Sequence, residues 1–129
     1  MSDLDQFHRK SYLNLETFRR NGEGMKTPVW FAQDGDTLYI STMANSGKVK
    51  RIRNCGQVNI AVCRMDGKVT GGWIPAQARE ITDPGIVAQA NRMLDKKYGL
   101  MKKLFDRQRA SKGSKDTLLE IKISEREEK

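Results

Sequence analysis

Histidine occurs once in this sequence, at His8, and cysteine twice, at Cys55 and Cys63. One imidazole excludes every mechanism that needs several, and these three side chains cannot close a zinc site. Two cysteines make no disulfide framework; Cys63, in an apolar run, reads as a buried and inert strand residue. His8 falls on a short amphipathic stretch, where a packing or surface role outweighs a catalytic one. The sequence has no nucleophile elbow, no Walker A glycine spacing and no pair of carboxylates at a telling interval. Aromatic residues are scarce, at 7%. Apolar runs are short, the longest covering residues 28–32 and 60–63, far below the ~18 residues of a membrane helix. Met1-Ser2-Asp3-Leu4-Asp5 carries acid where a secretion signal needs base, so the expectation is a cytoplasmic protein without membrane or metal. If such a chain is an enzyme, a cofactor must carry the hard step.

What is present is 129 residues and a formal charge of +8. That is one domain's worth, 1–129, and enough chain to bury about two-thirds of its unfolded surface. The charge is uneven. Residues 96–115 hold eight bases against the single acid Asp106, and a second knot comprises Lys48, Lys50, Arg51 and Arg53. Such runs are often just solvated helix faces. The sharper readings are nucleic acid, an anionic surface, or a phosphorylated cofactor or substrate.

Periodicity gives a helix, a strand-rich middle and a helical tail. Ser2 can cap a first helix bearing Leu4 and Phe7. Leu13, Leu15 and Thr17 alternate with polar residues as in a half-buried strand. Asn21-Gly22 and Gly24 break it. Residues 27–32 read as a buried strand, with Pro28 demanding an edge or bulge because it has no N–H. Asp34-Gly35-Asp36 turns tightly into a strand over 37–42. Residues 58–65 and 68–82 form a second hairpin about Asp66-Gly67. Asp83-Pro84 starts a helix with Ile86, Val87, Ala90, Met93 and Leu94 on one face. Gly99 punctuates it, a short second helix carries Leu100, Met101, Leu104 and Phe105, and residues 110–115 make a polar loop. Alternation over 117–123 gives a last strand. The fold class is therefore mainly β (α+β), a small barrel of about six antiparallel strands with flanking helices.

Chemistry gathers at residues 41–54. A strand ends at Ser41-Thr42, and Ser46 can cap a helix to about Arg53 with Val49 and Ile52 facing inward. Free N–H groups at a helix start, flanked by hydroxyls and Lys48, suit an anion, and Gly47 permits close approach of a phosphate. The plain alternative is a solvated helix.

Several segments resemble one family. Tyr12-Leu-Asn-Leu-Glu-Thr-Phe-Arg-Arg-Asn-Gly22, Thr27-Pro-Val-Trp-Phe31, Leu38-Tyr-Ile-Ser-Thr42 and Ser46-Gly-Lys-Val-Lys-Arg-Ile-Arg53 follow, in order and spacing, the pyridoxamine 5′-phosphate oxidase-like split barrels. Ala78-Arg79-Glu80 and Lys97-Tyr98-Gly99 extend the match. It looks closest to the coenzyme F420-dependent branch. The resemblance implies a split barrel in which Lys26, Thr27, Pro28, Val29 and Trp30 run beside a flavin or deazaflavin ring. It also implies that Thr42, Ser46, Gly47 and Lys48 hold the cofactor phosphate, with Arg53 adding to the field. Gly71, Gly72 and Trp73 match a strand position near the ring that a second subunit often contributes; packing explains Trp73 equally simply, and core packing explains Trp30 more simply than ligand contact. Oxidase members carry arginine where Lys26 stands and lack the Thr-Pro-Val-Trp string, which argues against pyridoxamine phosphate oxidation itself. No catalytic residue is implied.

The expectation is thus an oxidoreductase moving a hydride between F420, or FMN, and a small organic acceptor, working as a homodimer. The polyanionic tail of F420 suits a basic protein. Hydride transfer asks mainly for positioning in a dry slot. The alternatives are a carrier or sensor that binds the cofactor without turnover, and a nucleic-acid-binding small barrel. The last is disfavoured, because Tyr98 and Phe105 in the basic segment are spaced towards a core and not exposed for base stacking.

Overall fold

A computed structural model of the chain describes residues 7, 10–99 and 116–123. The expected first helix with His8, the second helix after Gly99, the polar loop and most of the basic segment lie outside the described residues. Seven strands and two helices make up the remainder: β1 (Tyr12–Phe18), β2 (Gly24–Trp30), β3 (Ala32–Asp34), β4 (Thr37–Met43), α1 (Gly47–Asn54), β5 (Gln57–Val62), β6 (Ile74–Ile81), α2 (Pro84–Tyr98) and β7 (Asp116–Ile123). All pair antiparallel in one sheet, ordered β2-β1-β5-β6-β7-β4-β3. The sheet curls into a half-barrel around Leu13, Leu15, Leu38, Ile40, Val58, Ile60, Leu119 and Ile121, each at most 1% exposed. This is the split barrel expected.

Two strand boundaries differ from expectation, each for a local reason. The run over 27–32 is not one buried strand. β2 stops at Trp30 and β3 starts at Ala32, because Phe31 turns its ring into the core, edge-on to Phe7 at 5.7 Å. β2 is the sheet's edge and is only half-buried, which is where Pro28 can sit, opposite Asn14, without breaking a ladder on both sides. The long strand over 68–82 is also shorter. Only Val69 bridges back, to Cys63, and Gly71-Gly72-Trp73 form a loop ahead of β6. Thr70 and Gly71 both donate to the Val62 carbonyl, so the ladder ends there in a bifurcated bend. Cys63 is buried, as expected, and burial pushes its thiol pKa up.

The helices follow their sequence signals. Val49 and Ile52 face the core from α1. Asp83 caps α2 by accepting from the Gly85 amide at 3.1 Å, Pro84 occupies its first turn, and Gly99, at φ 58°, ends it. Ala90 and Leu94 bury the α2 stripe, Ala90 within a small second core beside Ile81 and Leu118. None of the described helices is long and apolar enough to cross a membrane.

Candidate functional site

β3 covers only the Thr37–Tyr39 stretch of β4. Beyond it the upper end of β4 has no strand on that side among the described residues, and edge strand β2 comes up beside it. The seam between the two is the candidate site, a cleft of about 260 Å³ lined by Tyr12, Thr27, Pro28, Val29, Trp30, Ser41, Thr42 and Lys48. Its size lies just under the usual range for ligand cavities, and exposed Pro28 leaves it open along one flank.

Of the residues anticipated, Thr27, Pro28, Val29 and Trp30 form one wall, Thr42 and Lys48 the other. The edge strand and the phosphate-type turn, which the resemblance assigns to one cofactor, therefore meet at one crevice. Ser46 is the N-cap of α1 in extended backbone, yet its hydroxyl makes no cap bond, and the oxygen is buried without a partner among the described residues. The first amides of α1 are thus not satisfied by their own cap, and the first turn carries no acid. Gly47 is exposed beside them. A Cβ there would fall 2.8 Å from the Arg51 guanidinium, which is itself anchored by Nε donating to the buried Thr17 hydroxyl at 2.6 Å.

The remaining anticipated residues stay outside the cleft. Arg53 donates along one guanidinium edge, from Nε and Nη2, to the two Glu80 carboxylate oxygens at 2.7 and 2.9 Å, and the Thr117 hydroxyl also donates to that carboxylate at 2.6 Å. These bonds, Arg53's above all, hold the Glu80 carboxyl below the usual carboxylate range. Lys26 extends from β2 over the Trp73 ring, 5.2 Å from its centre. Gly71 and Gly72 occupy the loop before Trp73, and a Cβ at Gly72 would meet nothing within 4 Å. Trp73 is 38% exposed, and Met65 72%. Lys26 and Trp73 thus make a second, outward-facing feature on the same chain.

Sequence reasoning missed Tyr12 and Ser41 as lining residues. Tyr12 reaches the site only because the β1–β2 register sets it opposite Trp30, which no local pattern encodes. It also missed what backs the Trp30 wall. Tyr98, at the end of α2, stacks on the Trp30 indole with ring centres 4.5 Å apart and planes 9° from parallel. Lys97 donates to the Phe31 carbonyl at 2.8 Å, its ammonium 3.8 Å over the Phe31 ring. Residue 97 as a whole is exposed, but the tucked ammonium is desolvated and its pKa falls to about 8.

The model of the pyridoxamine 5′-phosphate oxidase family matches residues 4–129. No curated protein matches the chain. Among solved structures, a heme storage protein from Vibrio cholerae superposes with a TM-score of 0.73 at 11% identity, over 96% of this chain and 89% of the other. A FAD-binding protein from Mesorhizobium loti gives 0.65 at 18%, over 97% and 90%. An F420 reductase gives 0.59 at 16%, over 97% and 95%. At such identities the likeness is one of fold. The cleft's lining fits a flat phosphorylated ring, with an edge strand and indole along one side and hydroxyls and Lys48 on the other; Ser46 and Gly47, at the uncapped start of α1, directly precede Lys48 but do not themselves line it.

Proposed function

Because the chain belongs to the pyridoxamine 5′-phosphate oxidase family, we propose that it is an oxidoreductase of the F420- or FMN-dependent kind, acting on a small organic acceptor. The observation that carries this reading is the joining of residues 27–30 with Thr42 and Lys48 in one crevice. Lys48 and the start of α1 take the cofactor phosphate, a dianion suited to amide dipoles and an ammonium. The outer edge of β2 offers peptide groups to the polar rim of the ring, except at Pro28, which has no N–H to give. Trp30 supplies the flat apolar contact and keeps water from one flank. When bound, the cofactor supplies hydride transfer; the protein's part is to hold ring and acceptor close together. The uneven positive charge favours F420, whose tail bears several carboxylates, over the compact FMN. The cleft's open flank and the exposed Lys26–Trp73 patch are consistent with a homodimer in which each chain completes the other's site.

The second reading, a carrier or sensor that binds without turnover, draws on the cleft's own lining: among the described residues its titratable side chains are Tyr12 and Lys48, a phenol and an ammonium with no carboxylate or imidazole in the lining beside them. Titrating purified protein with F420 and with FMN, followed by cofactor fluorescence, tests both. We expect saturable binding that Lys48→Ala weakens about tenfold, the worth of a charge-assisted contact. Failure of both cofactors to bind defeats the proposal. Binding without steady-state reduction of quinones or enones selects the carrier.

A further inference from the structure

We propose that Tyr98 is the positioning residue of the cleft: it fixes the Trp30 indole in the plane against which a flat ligand lies. The inference rests on the cofactor reading above for what the ligand is, and on the fold alone for how the wall is held.

Phe31 separates β2 from β3 and belongs to neither ladder, so its N–H and carbonyl need partners from elsewhere. The Tyr98 hydroxyl accepts from the Phe31 N–H at 3.0 Å. The same oxygen lies 2.8 Å from the Phe31 carbonyl and 2.7 Å from the Ser11 carbonyl. A phenol has one hydrogen, and Lys97 already serves the Phe31 carbonyl, so the hydroxyl's own proton is left for Ser11. One side chain thereby ties the residue before β1 to the residue after β2. Next to that anchor, the phenol ring lies flat on the Trp30 indole. With one face on Tyr98, Trp30 can show the cleft only its opposite face or its edge. A planar ligand on that opposite face would continue a stack of three rings, and one against the edge would meet an indole held at the same tilt; either way the tilt is set from behind by Tyr98. Neither Tyr98 nor Lys97 lines the cleft, so any influence on a ligand passes through Trp30.

The test uses the two tryptophans. In a Trp73→Phe background, Trp30 is the sole tryptophan, and acrylamide quenching reports its packing independently of any ligand. Tyr98→Leu removes hydroxyl and stack. Tyr98→Phe removes only the hydroxyl, and carries the test if the leucine variant does not fold. Leu94→Ala, a buried core change one turn earlier, controls for simple destabilisation. We expect Tyr98→Leu to raise Trp30 quenching and weaken FMN or F420 binding about tenfold, with Tyr98→Phe in between, the scale of one aromatic pair. Leu94→Ala should lower Tm while leaving quenching and affinity near the parent's. The inference is overturned if the Tyr98 variants leave Trp30 quenching at the parent value, or if Leu94→Ala shifts quenching as much as they do. If the parent binds neither cofactor, the functional reading falls, and quenching alone still decides the role of Tyr98.

Discussion

Lys97 and Tyr98 sit side by side at the end of α2 and set opposing pH dependences. Desolvation lowers the folded Lys97 pKa to about 8, below its unfolded value of 10.5. Folded protein therefore binds fewer protons between those values, and stability rises as pH climbs from about 8 to 10.5. Burial raises the Tyr98 phenol pKa, so above pH 10 the unfolded chain ionises first and stability falls. Thermal unfolding from pH 7 to 11 should show Lys97→Met flattening the rising limb and Tyr98→Phe flattening the falling one. At the acid end, the depressed Glu80 carboxyl contributes stability above the ordinary carboxylate pKa that is lost as pH drops through its folded value. Glu80→Gln should accordingly be less stable than the parent at neutral pH and converge with it below about pH 4; parallel curves would remove the pair from the ledger. None of these three environments could be read in the sequence. Lys97 looked like one base in a solvated run, Arg53 like a phosphate ligand, and Tyr98 like a core residue, because partners 27 to 67 positions away decide each case.

At the level of single elements, turn and cap chemistry was legible because it is local. Gly35 adopts φ 63° in the hairpin between β3 and β4, where a β-carbon is strained. Gly35→Ala should cost about 1 kcal/mol, or ~4 °C in Tm by calorimetry, and Gly35→Asn much less. Pro28 announced an edge, and Asp83-Pro84 a helix start, for reasons confined to a few bonds. The strand over 68–82 was misjudged since glycines and Thr70 obey alternation while their amides bond back to Val62. α1 offers a sharper experiment. Gly47→Asp puts a carboxylate at the helix N-terminus, against the yielding tip of Arg51, so the fold should gain about 0.3–1 kcal/mol. The same charge repels a phosphate, and cofactor affinity should drop about tenfold or more. A variant both more stable and unable to bind would mark this turn as kept for its ligand.

For the molecule as a whole, a charge of +8 predicts that binding of the many-carboxylate F420 weakens more steeply with added salt than binding of FMN. Fluorescence titrations at about 50 and 500 mM NaCl, half a decade to either side of physiological strength, make the comparison. Equal slopes would argue that the basic residues serve another purpose. The proposed homodimer should sediment at twice the 14.7 kDa chain mass. The architecture itself was foreseeable as a class, from short strands and tight turns, but its strand order was not, since β7 inserts between β6 and β4 by contacts that span most of the chain. That insertion has a bearing on birth as well as on form. On a ribosome, β4 and β6 emerge with a gap between them that only the residues of β7 can fill. Until these are released both flanking strands keep naked hydrogen-bonding edges, so the nascent chain is stickiest in the interval between the emergence of β6 and that of β7.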